Sequence, residues 1–359
     1  MAIKKKQEES ANLQKYAVID LFCGIGGLTH GFVKEKFNVV AGIDIDDSCK
    51  YAYEENNSAN FINKKIEDID SSYLKKLYPK GVKKILIGCA PCQPFSKYTS
   101  KIEKDGKWGL LYEFARLIRE IKPEIISMEN VPQLTQHKVY DDFVRTLQKL
   151  KYEVTVEKVR CEEFGVPQKR TRLVLLASKR GKIELIEKTH NKENFKTVRD
   201  AIGKLESIKH GETSKKDKIH RARKLDDLNF KRIKHTSEGG GWKQWPEELV
   251  LECHKKKSGL SYSSVYGRMK WNEPAPTMTT LCCGLGNGRF GHPEQNRAIS
   301  LREAALFQTF PKYYKFVVPR NPVTFQLGKH IGNAVPVKLG IVIAKSIKRH
   351  IENTYAKIN

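Results

Sequence analysis

Two cysteines three positions apart, Cys89 and Cys92, stand in the run Ile85-Leu86-Ile87-Gly88-Cys89-Ala90-Pro91-Cys92-Gln93-Pro94-Phe95-Ser96. The apolar Ile85 to Ile87 reads as a buried strand, and Gly-Cys-Ala-Pro breaks it. Cys92 therefore falls at the carboxyl end of a strand, where open α/β sheets place their ligands. Pro91 and Pro94 stiffen the turn around it. A thiol held this way suits nucleophilic attack, because sulfur is strongly nucleophilic even when only a few per cent is ionised. A Cys-x-x-Cys is also a redox pair or half of a zinc site. The redox pair normally opens a helix, and Gln93-Pro94-Phe95-Ser96 is a poor helix start. Zinc needs a second ligand pair, and neither Cys253/His254 nor Cys282-Cys283 has a usual spacing, so no metal is expected. On this stretch alone a nucleophile, a redox pair, a metal ligand and an inert core cysteine all stay open.

Further groups of the right type follow. Ile125-Ile126-Ser127-Met128-Glu129-Asn130-Val131-Pro132 reads as another buried strand ending in a carboxylate and an amide. A carboxylate there is costly to leave charged, so Glu129 can donate a proton or hydrogen bond to a ring nitrogen. An exposed loop glutamate just past the strand is the plainer alternative. Gln168, Arg170 and Arg172 alternate, so an extended chain puts all three on one face, suited to a base or a phosphate. Tyr16 to Phe22 is an apolar strand running into Cys23-Gly24-Ile25-Gly26-Gly27 and a helix from Leu28, the cofactor-binding opening of a doubly wound fold. Thr29 replaces the third glycine of the dinucleotide fingerprint. The next strand, Val39 to Ile43, ends in Asp44-Ile45-Asp46, an acid placed for ribose hydroxyls or a helix N-cap. Asp68, before Ile69, is a third acid of the same kind.

These groups need a scaffold of alternating strands and helices. Beyond the Cys92 loop, Lys97 to Gly109 is polar and suits a lid. Helices are expected at Leu110 to Ile121, Asp141 to Leu150 and Leu301 to Phe310, with a last one running to about His350. Strands are expected at Tyr152 to Val159 and Leu173 to Ala177. The 359 residues carry a net charge of +25, with a pI of about 9.6, which favours a polyanionic partner. No apolar stretch approaches the roughly 20 residues of a membrane span, the first residues lack a secretory signal's apolar core, and eight scattered cysteines suit a reducing compartment. From residue 190 the texture changes: residues 204 to 235 hold eleven Lys/Arg against five Asp/Glu. Gly239-Gly240-Gly241-Trp242, Trp245, Tyr262, Tyr266, Arg268, Trp271 and Arg289 then mix aromatics, glycines and basic residues as a nucleic-acid-reading surface would.

Together these segments resemble the cytosine-C5 DNA methyltransferases, in the family's unpermuted motif order. Phe22-Cys23-Gly24-Ile25-Gly26-Gly27 is similar to the cofactor loop, Pro91-Cys92-Gln93 to the nucleophile motif and Glu129-Asn130-Val131 to the acidic motif. Gln168-x-Arg170-x-Arg172 is similar to the base-orienting strand, and Arg302 to Gln308 and Gly332-Asn333-Ala334-Val335 to the two closing motifs. The lid departs from the pattern, with Asp105-Gly106-Lys107-Trp108 where an Asp-x-Arg is usual.

The resemblance implies an α/β fold with a doubly wound, mostly parallel sheet, Rossmann-like, plus a smaller, irregular, β-rich target-recognition domain. It divides the chain into an arm (1–14), a catalytic and cofactor-binding domain (15–195), a target-recognition domain (196–325) and a returning segment (326–359). It implies catalysis by Cys92, Glu129, Arg170 and Arg172. S-adenosylmethionine would be held by Phe22, Gly24, Gly26, Gly27, Asp44, Ile45, Asp68, Ile69, Asn333 and Val335. DNA would be contacted by Gln93, Ser96, Gln168, Arg268 and Arg289. The implied partner is double-stranded DNA, with no membrane, for a cytoplasmic, nucleoid-associated monomer that shares its site with a restriction endonuclease. A tRNA cytosine methyltransferase or a catalytically silent nucleic-acid-binding protein are the alternatives; the long basic segment and the joint presence of Cys92 and Glu129 argue against them.

Overall fold

The computed structural model describes residues 12–91 and 109–356. They fall into two compact units, one built from residues up to Arg160, Thr171–Lys188 and Val337 onward, the other from Cys161–Arg170 and Thr189–Pro336. These compact units are divided at other positions than the functional boundaries expected at 195/196 and 325/326. Residues 189–195 and 326–336 belong to the second unit, and so does the excursion 161–170.

The first unit holds one seven-stranded sheet in the order β3-β2-β1-β4-β5-β7-β6. Its strands are β1 (Tyr16–Leu21), β2 (Asn38–Asp44), β3 (Asn60–Asn63), β4 (Lys83–Gly88), β5 (Ile125–Asn130), β6 (Glu153–Arg160) and β7 (Thr171–Ser178). The first five pair in parallel. β7 runs antiparallel between β5 and β6. All six residues of β1 and of β5 are buried, as expected of central strands covered on both faces, which read as continuous apolar runs. Within β1, Ala17, Ile19 and Leu21 join the core under α4 (Gly109–Ile121) and α5 (Lys138–Lys149). Asp20 faces the opposite way, because side chains alternate along a strand.

The helices follow from the apolar spacing. α4 buries Leu111, Phe114, Ala115, Leu117, Ile118 and Ile121, a stripe at i, i+3, i+4 and i+7. It stops where Lys122 takes φ 51° ahead of Pro123, which disfavours helical geometry in the residue before it. α1 (Gly27–Lys34) and the last helix α11 (Val337–Ala356) also belong to this unit. They meet at Gly31 and Gly340, so closely that a Cβ on Gly31 would lie 2.3 Å from the Gly340 carbonyl carbon. α2 (Lys50–Asn57) and α3 (Ser71–Leu77) complete the unit.

The second unit departs from the expected β-rich domain. Among its described residues there are only isolated bridges and short helices: α6 (Val198–Ile202), α7 (Asp227–Lys234), α8 (Glu252–Lys255), α9 (Leu301–Phe307) and α10 (Gln326–Asn333). Its Gly-, Pro- and Lys-rich sequence offers no alternating run long enough for a ladder. Side chains hold it instead. Arg297, fully buried, forms a bidentate pair with Glu303 at 2.7 Å on both nitrogens. Glu303 also closes the capping box of α9 with Ser300. Burial alone would raise the Glu303 carboxyl, but Arg297 and the hydrogen bonds outweigh it and hold it at about 2 against the ordinary 4.5.

Two outcomes are expected. Gly31→Ala forces α1 and α11 apart and lowers stability by about 1–3 kcal/mol; an unchanged urea midpoint would show that the helices do not meet there. Glu303→Gln leaves Arg297 buried without its counter-ion and costs about 3–5 kcal/mol at neutral pH. A carboxyl depressed in the fold adds stability above its unfolded value, lost as pH falls from about 4.5 through 2. Denaturant melts across that window should show a steep acid loss in the wild type and a shallower one in Glu303→Gln.

Candidate active site

The strand order reverses between β1 and β4, and open α/β sheets bind ligands outside the carboxyl ends at such a point. The β1 end is conformationally unusual: Phe22 (φ 59°), Gly24 (φ 49°) and Gly26 (φ 84°) are all left-handed. A bulky residue there stores strain of order 1–3 kcal/mol, which clusters at functional sites. A Cβ on Gly24 would meet nothing within 4 Å, so the space above this loop is open and the glycine serves backbone geometry alone. Asp44 at the tip of β2 clamps the loop, accepting from the Gly24 N–H at 2.8 Å and the Asp46 N–H at 2.9 Å. Asp46, not Asp44, takes the capping role, accepting from the Ser48 N–H. Beside Asp44, the Ile45 side chain is 62% exposed, an apolar group held out to solvent next to the open loop. Gly27 opens α1. Asp68 is exposed at the end of a short 3₁₀ turn. The Ile69 side chain is 2% exposed and packs in the core that α4 covers.

One residue of this region escaped the sequence reading. Asp20 is 1% exposed in an otherwise apolar strand. The Thr29 hydroxyl donates to its Oδ2 at 2.6 Å, while Oδ1 is buried without a hydrogen bond. Burial lifts its carboxyl from 3.8 to about 7, against the lowering pull of Thr29. A lone acid inside an apolar run was the available signal.

Glu129 lies near the end of β5 and is 2% exposed, so the exposed-loop alternative does not hold. It is paired in register with Val174. Arg172, two residues back along β7, is on the same face, and its Nε lies 3.0 Å from Glu129 Oε1. That N–H is not aimed at the oxygen, and Oε1 is buried with no hydrogen bond. Oε2 accepts from the Cys89 thiol at 2.6 Å. The neighbouring Asn130 donates through Nδ2 to the Ala90 carbonyl at 3.1 Å, and the Cys89 N–H reaches the Leu21 carbonyl at 3.3 Å. The chain entering the Cys92 loop is thus tied to β5 and β1. Cys92, Gln93, Ser96 and the lid residues Asp105 to Trp108 lie outside the described residues.

In the second unit several expected ligand contacts turn out to be internal. Gln168, Arg170 and Arg172 do not share a face, because β7 begins only at Thr171. Gln168 is fully buried, donating to the Phe307 carbonyl and Gln308 Oε1 while accepting from the Met278 N–H. Arg170 is 4% exposed and donates to the carbonyls of Met278 and Ala334, so its part is to brace this unit. Arg268, also 4% exposed, spends its guanidinium on the carbonyls of Ile233, Thr236, His292 and Gln295 and on Asn296. Arg289 donates mainly to the carbonyls of Gly239 and Gly240 at 2.6 Å. Arg268 is thus spent inside the unit, because irregular chain leaves carbonyls that must be satisfied from within, while half-buried Arg289 also lines a groove. Trp242 and Trp245 are core, not reading surface. Asn333 is exposed at the end of α10, while the Val335 side chain is buried.

Near Lys169 and Lys270 a groove of about 560 Å³ is lined by Ser264, Thr277, Thr279 and Asn287. Glu273 bridges both lysines, at 2.9 and 2.7 Å. Lys215, Lys216 and Lys218 are exposed.

The sheet order, the glycine loop and the buried glutamate can be set beside known proteins. The model of the C-5 cytosine-specific DNA methylase family matches residues 16–349. The type II methylase M.HgiDII of Herpetosiphon aurantiacus is 56% identical over 345 residues, covering 95% of this chain and 97% of that protein. The type II methyltransferase M.Eco47II of Escherichia coli is 29% identical over 348 residues, covering 92% and 78%. Among solved structures, a DNA modification methyltransferase encoded in an Escherichia coli prophage shares the fold with a TM-score of 0.72 at 22% identity, covering 94% of this chain and 99% of its own. No described helix is long and apolar enough to cross a membrane. The chain belongs to the C-5 cytosine-specific DNA methylase family and is a DNA cytosine-5-methyltransferase.

Proposed function

We propose that this enzyme transfers a methyl group from S-adenosylmethionine to carbon 5 of a cytosine turned out of double-stranded DNA, through a covalent bond to Cys92. The observation that carries the reading is Glu129: 2% exposed, fixed by Arg172 and Cys89, with Oε1 buried and lacking a hydrogen bond. A buried polar atom left unsatisfied is costly, and a partner from a substrate ring relieves it.

The groups at the sheet's switch point fit the donor. Phe22 and the exposed Ile45 offer apolar surface for an adenine, Asp44 stands where ribose hydroxyls would be met, and the open space over Gly24 leaves room for a backbone approach. The unsatisfied Oδ1 of Asp20 suits a cationic amino group. When bound, the sulfonium supplies an electrophilic methyl group.

The protein's own residues do the rest. The target base is first taken out of the stack, at a cost of a few kcal/mol. The Cys92 thiolate adds to ring carbon 6 while Glu129 gives a proton or hydrogen bond to ring nitrogen 3, and carbon 5 becomes nucleophilic. Once carbon 5 carries the methyl group, loss of its proton and expulsion of Cys92 restore the ring and the thiolate. Arg172 keeps the Glu129 carboxyl oriented throughout.

Site choice is assigned to the second unit. Its exposed Lys215, Lys216 and Lys218 suit phosphates, and the groove between Lys169, Lys270 and Asn287 suits base edges. The names of the type II relatives place the activity in a restriction–modification setting.

DNA carrying 5-fluorocytosine at the target should give an adduct that survives denaturation, because fluorine cannot leave as a proton does. Cys92→Ala should abolish it, and an adduct persisting in that variant would overturn the assignment. Glu129→Gln should keep DNA binding and lose turnover by about 10²–10⁴-fold; a near-wild-type rate would leave Glu129 a purely structural residue. Bisulfite sequencing of DNA from cells expressing the chain identifies the target, and unmodified cytosines throughout would turn the reading toward RNA.

A further inference from the structure

The two oxygens of Glu129 have different surroundings, and only one is left to meet a base. Oε1 has no hydrogen bond and lies beside Arg172. Oε2 lies 2.6 Å from Cys89 Sγ. Two anions are not held at such a distance at a buried strand end, so a proton lies between sulfur and oxygen. A thiol is a donor and only a weak acceptor, so that proton is on sulfur and Oε2 keeps carbonyl character. With Oε2 taken by the thiol, Oε1 is the oxygen left to meet the ring nitrogen of a base, with the Arg172 guanidinium 3.0 Å away.

We propose that Cys89 is a positioning residue: its thiol occupies Oε2, fixes the plane of the Glu129 carboxyl and leaves Oε1 to face the base. This rests on the role given to Glu129 above and adds a residue to it. Two neighbouring contacts make the placement firm. The Cys89 N–H is held by the Leu21 carbonyl at 3.3 Å, continuing the β4 pairing with β1. The Ala90 carbonyl is held by Asn130, next to Glu129 on β5. Cys89 thus sits between two strand ends, and its side chain has little freedom to leave Oε2. Cys89 is neither nucleophile nor half of a redox pair in this arrangement; its sulfur serves as a hydrogen-bond donor.

The test compares the full-length wild type with Cys89→Val, which keeps the volume and removes the donor, Cys89→Ala, which removes it in a smaller side chain, and Cys89→Ser, which restores a donor. Measured on target DNA, kcat should fall about 10-fold in Val and Ala, the upper worth of one hydrogen bond between neutral groups. KM for DNA should be unchanged. Cys89→Ser should recover to within a few-fold of wild type. A wild-type kcat in Val or Ala, or a Ser variant as slow as they are, would overturn the proposal. The 5-fluorocytosine adduct separates the two levels. If the wild type forms none, the reading of the site itself fails. If the wild type forms it and the Val or Ala variants turn over normally, only the role of Cys89 fails.

Discussion

A carboxylate placed in a strand with no exposed residue is the constraint on which the site depends. Ionised or not, Glu129 needs polar partners, because an unpaired charge in the interior is among the most destabilising features a fold can carry. The sheet supplies them through the reversal of β7. Because β7 is antiparallel to β5, its first residues lie at the carboxyl end of β5, and Arg172 reaches Glu129. A parallel strand in that place would begin at the far edge and bring no cation. Glu129, through Cys89, and Asn130, through Ala90, then hold the chain that leads toward Cys92. One strand end therefore fixes the acid, its cation and the chain on the way to Cys92.

The second unit meets the same requirement by other means. With no ladder to satisfy its carbonyls, it uses guanidinium groups: Arg268 serves four carbonyls, Arg289 those of Gly239 and Gly240, and Arg232 that of Leu249. Amides play the same part at the closing motifs. The Gln308 amide donates to the carbonyls of Ile331 and Ala334 while its oxygen accepts from Gln168. Gly332 allows this approach, since a Cβ there would lie 2.0 Å from the Thr279 carbonyl. Three motifs far apart in the chain are thus parts of one buried polar cluster.

This division explains what could be read from the sequence. The apolar runs of β1, β4 and β5 and the glycine turn after β1 were legible, because continuous burial and left-handed geometry leave direct marks on residue choice. Glu129 was legible because it interrupts such a run. Gln168, Arg170 and Arg172 alternate on paper, yet a strand boundary at Thr171 gives the first two one environment and the third another. The basic and aromatic texture of residues 232 to 289 also looked like a reading surface. Much of it is core, with Arg232 over the rings of Trp245 and Tyr266 and Arg268 turned inward, because composition records charge and not the direction in which it points. Cys89 and Asp20 depend on partners from elsewhere in the chain, which no local pattern shows.

The interleaving of the units bears on how the molecule is made. The first unit takes in residues up to Arg160, then Thr171–Lys188, then the final helix, whose Gly340 backs onto Gly31. During synthesis the sheet and its glycine loop leave the ribosome long before that helix exists. α1 must wait, with the face that Gly340 will cover still exposed to water, while about 150 residues of the second unit are translated. The layer that α1 shares with α11 thus stays incomplete in the nascent chain until Val337–Ala356 is made. Completion of the first unit therefore waits on Val337–Ala356, so a chain stopped before that helix lacks a structural part of the unit.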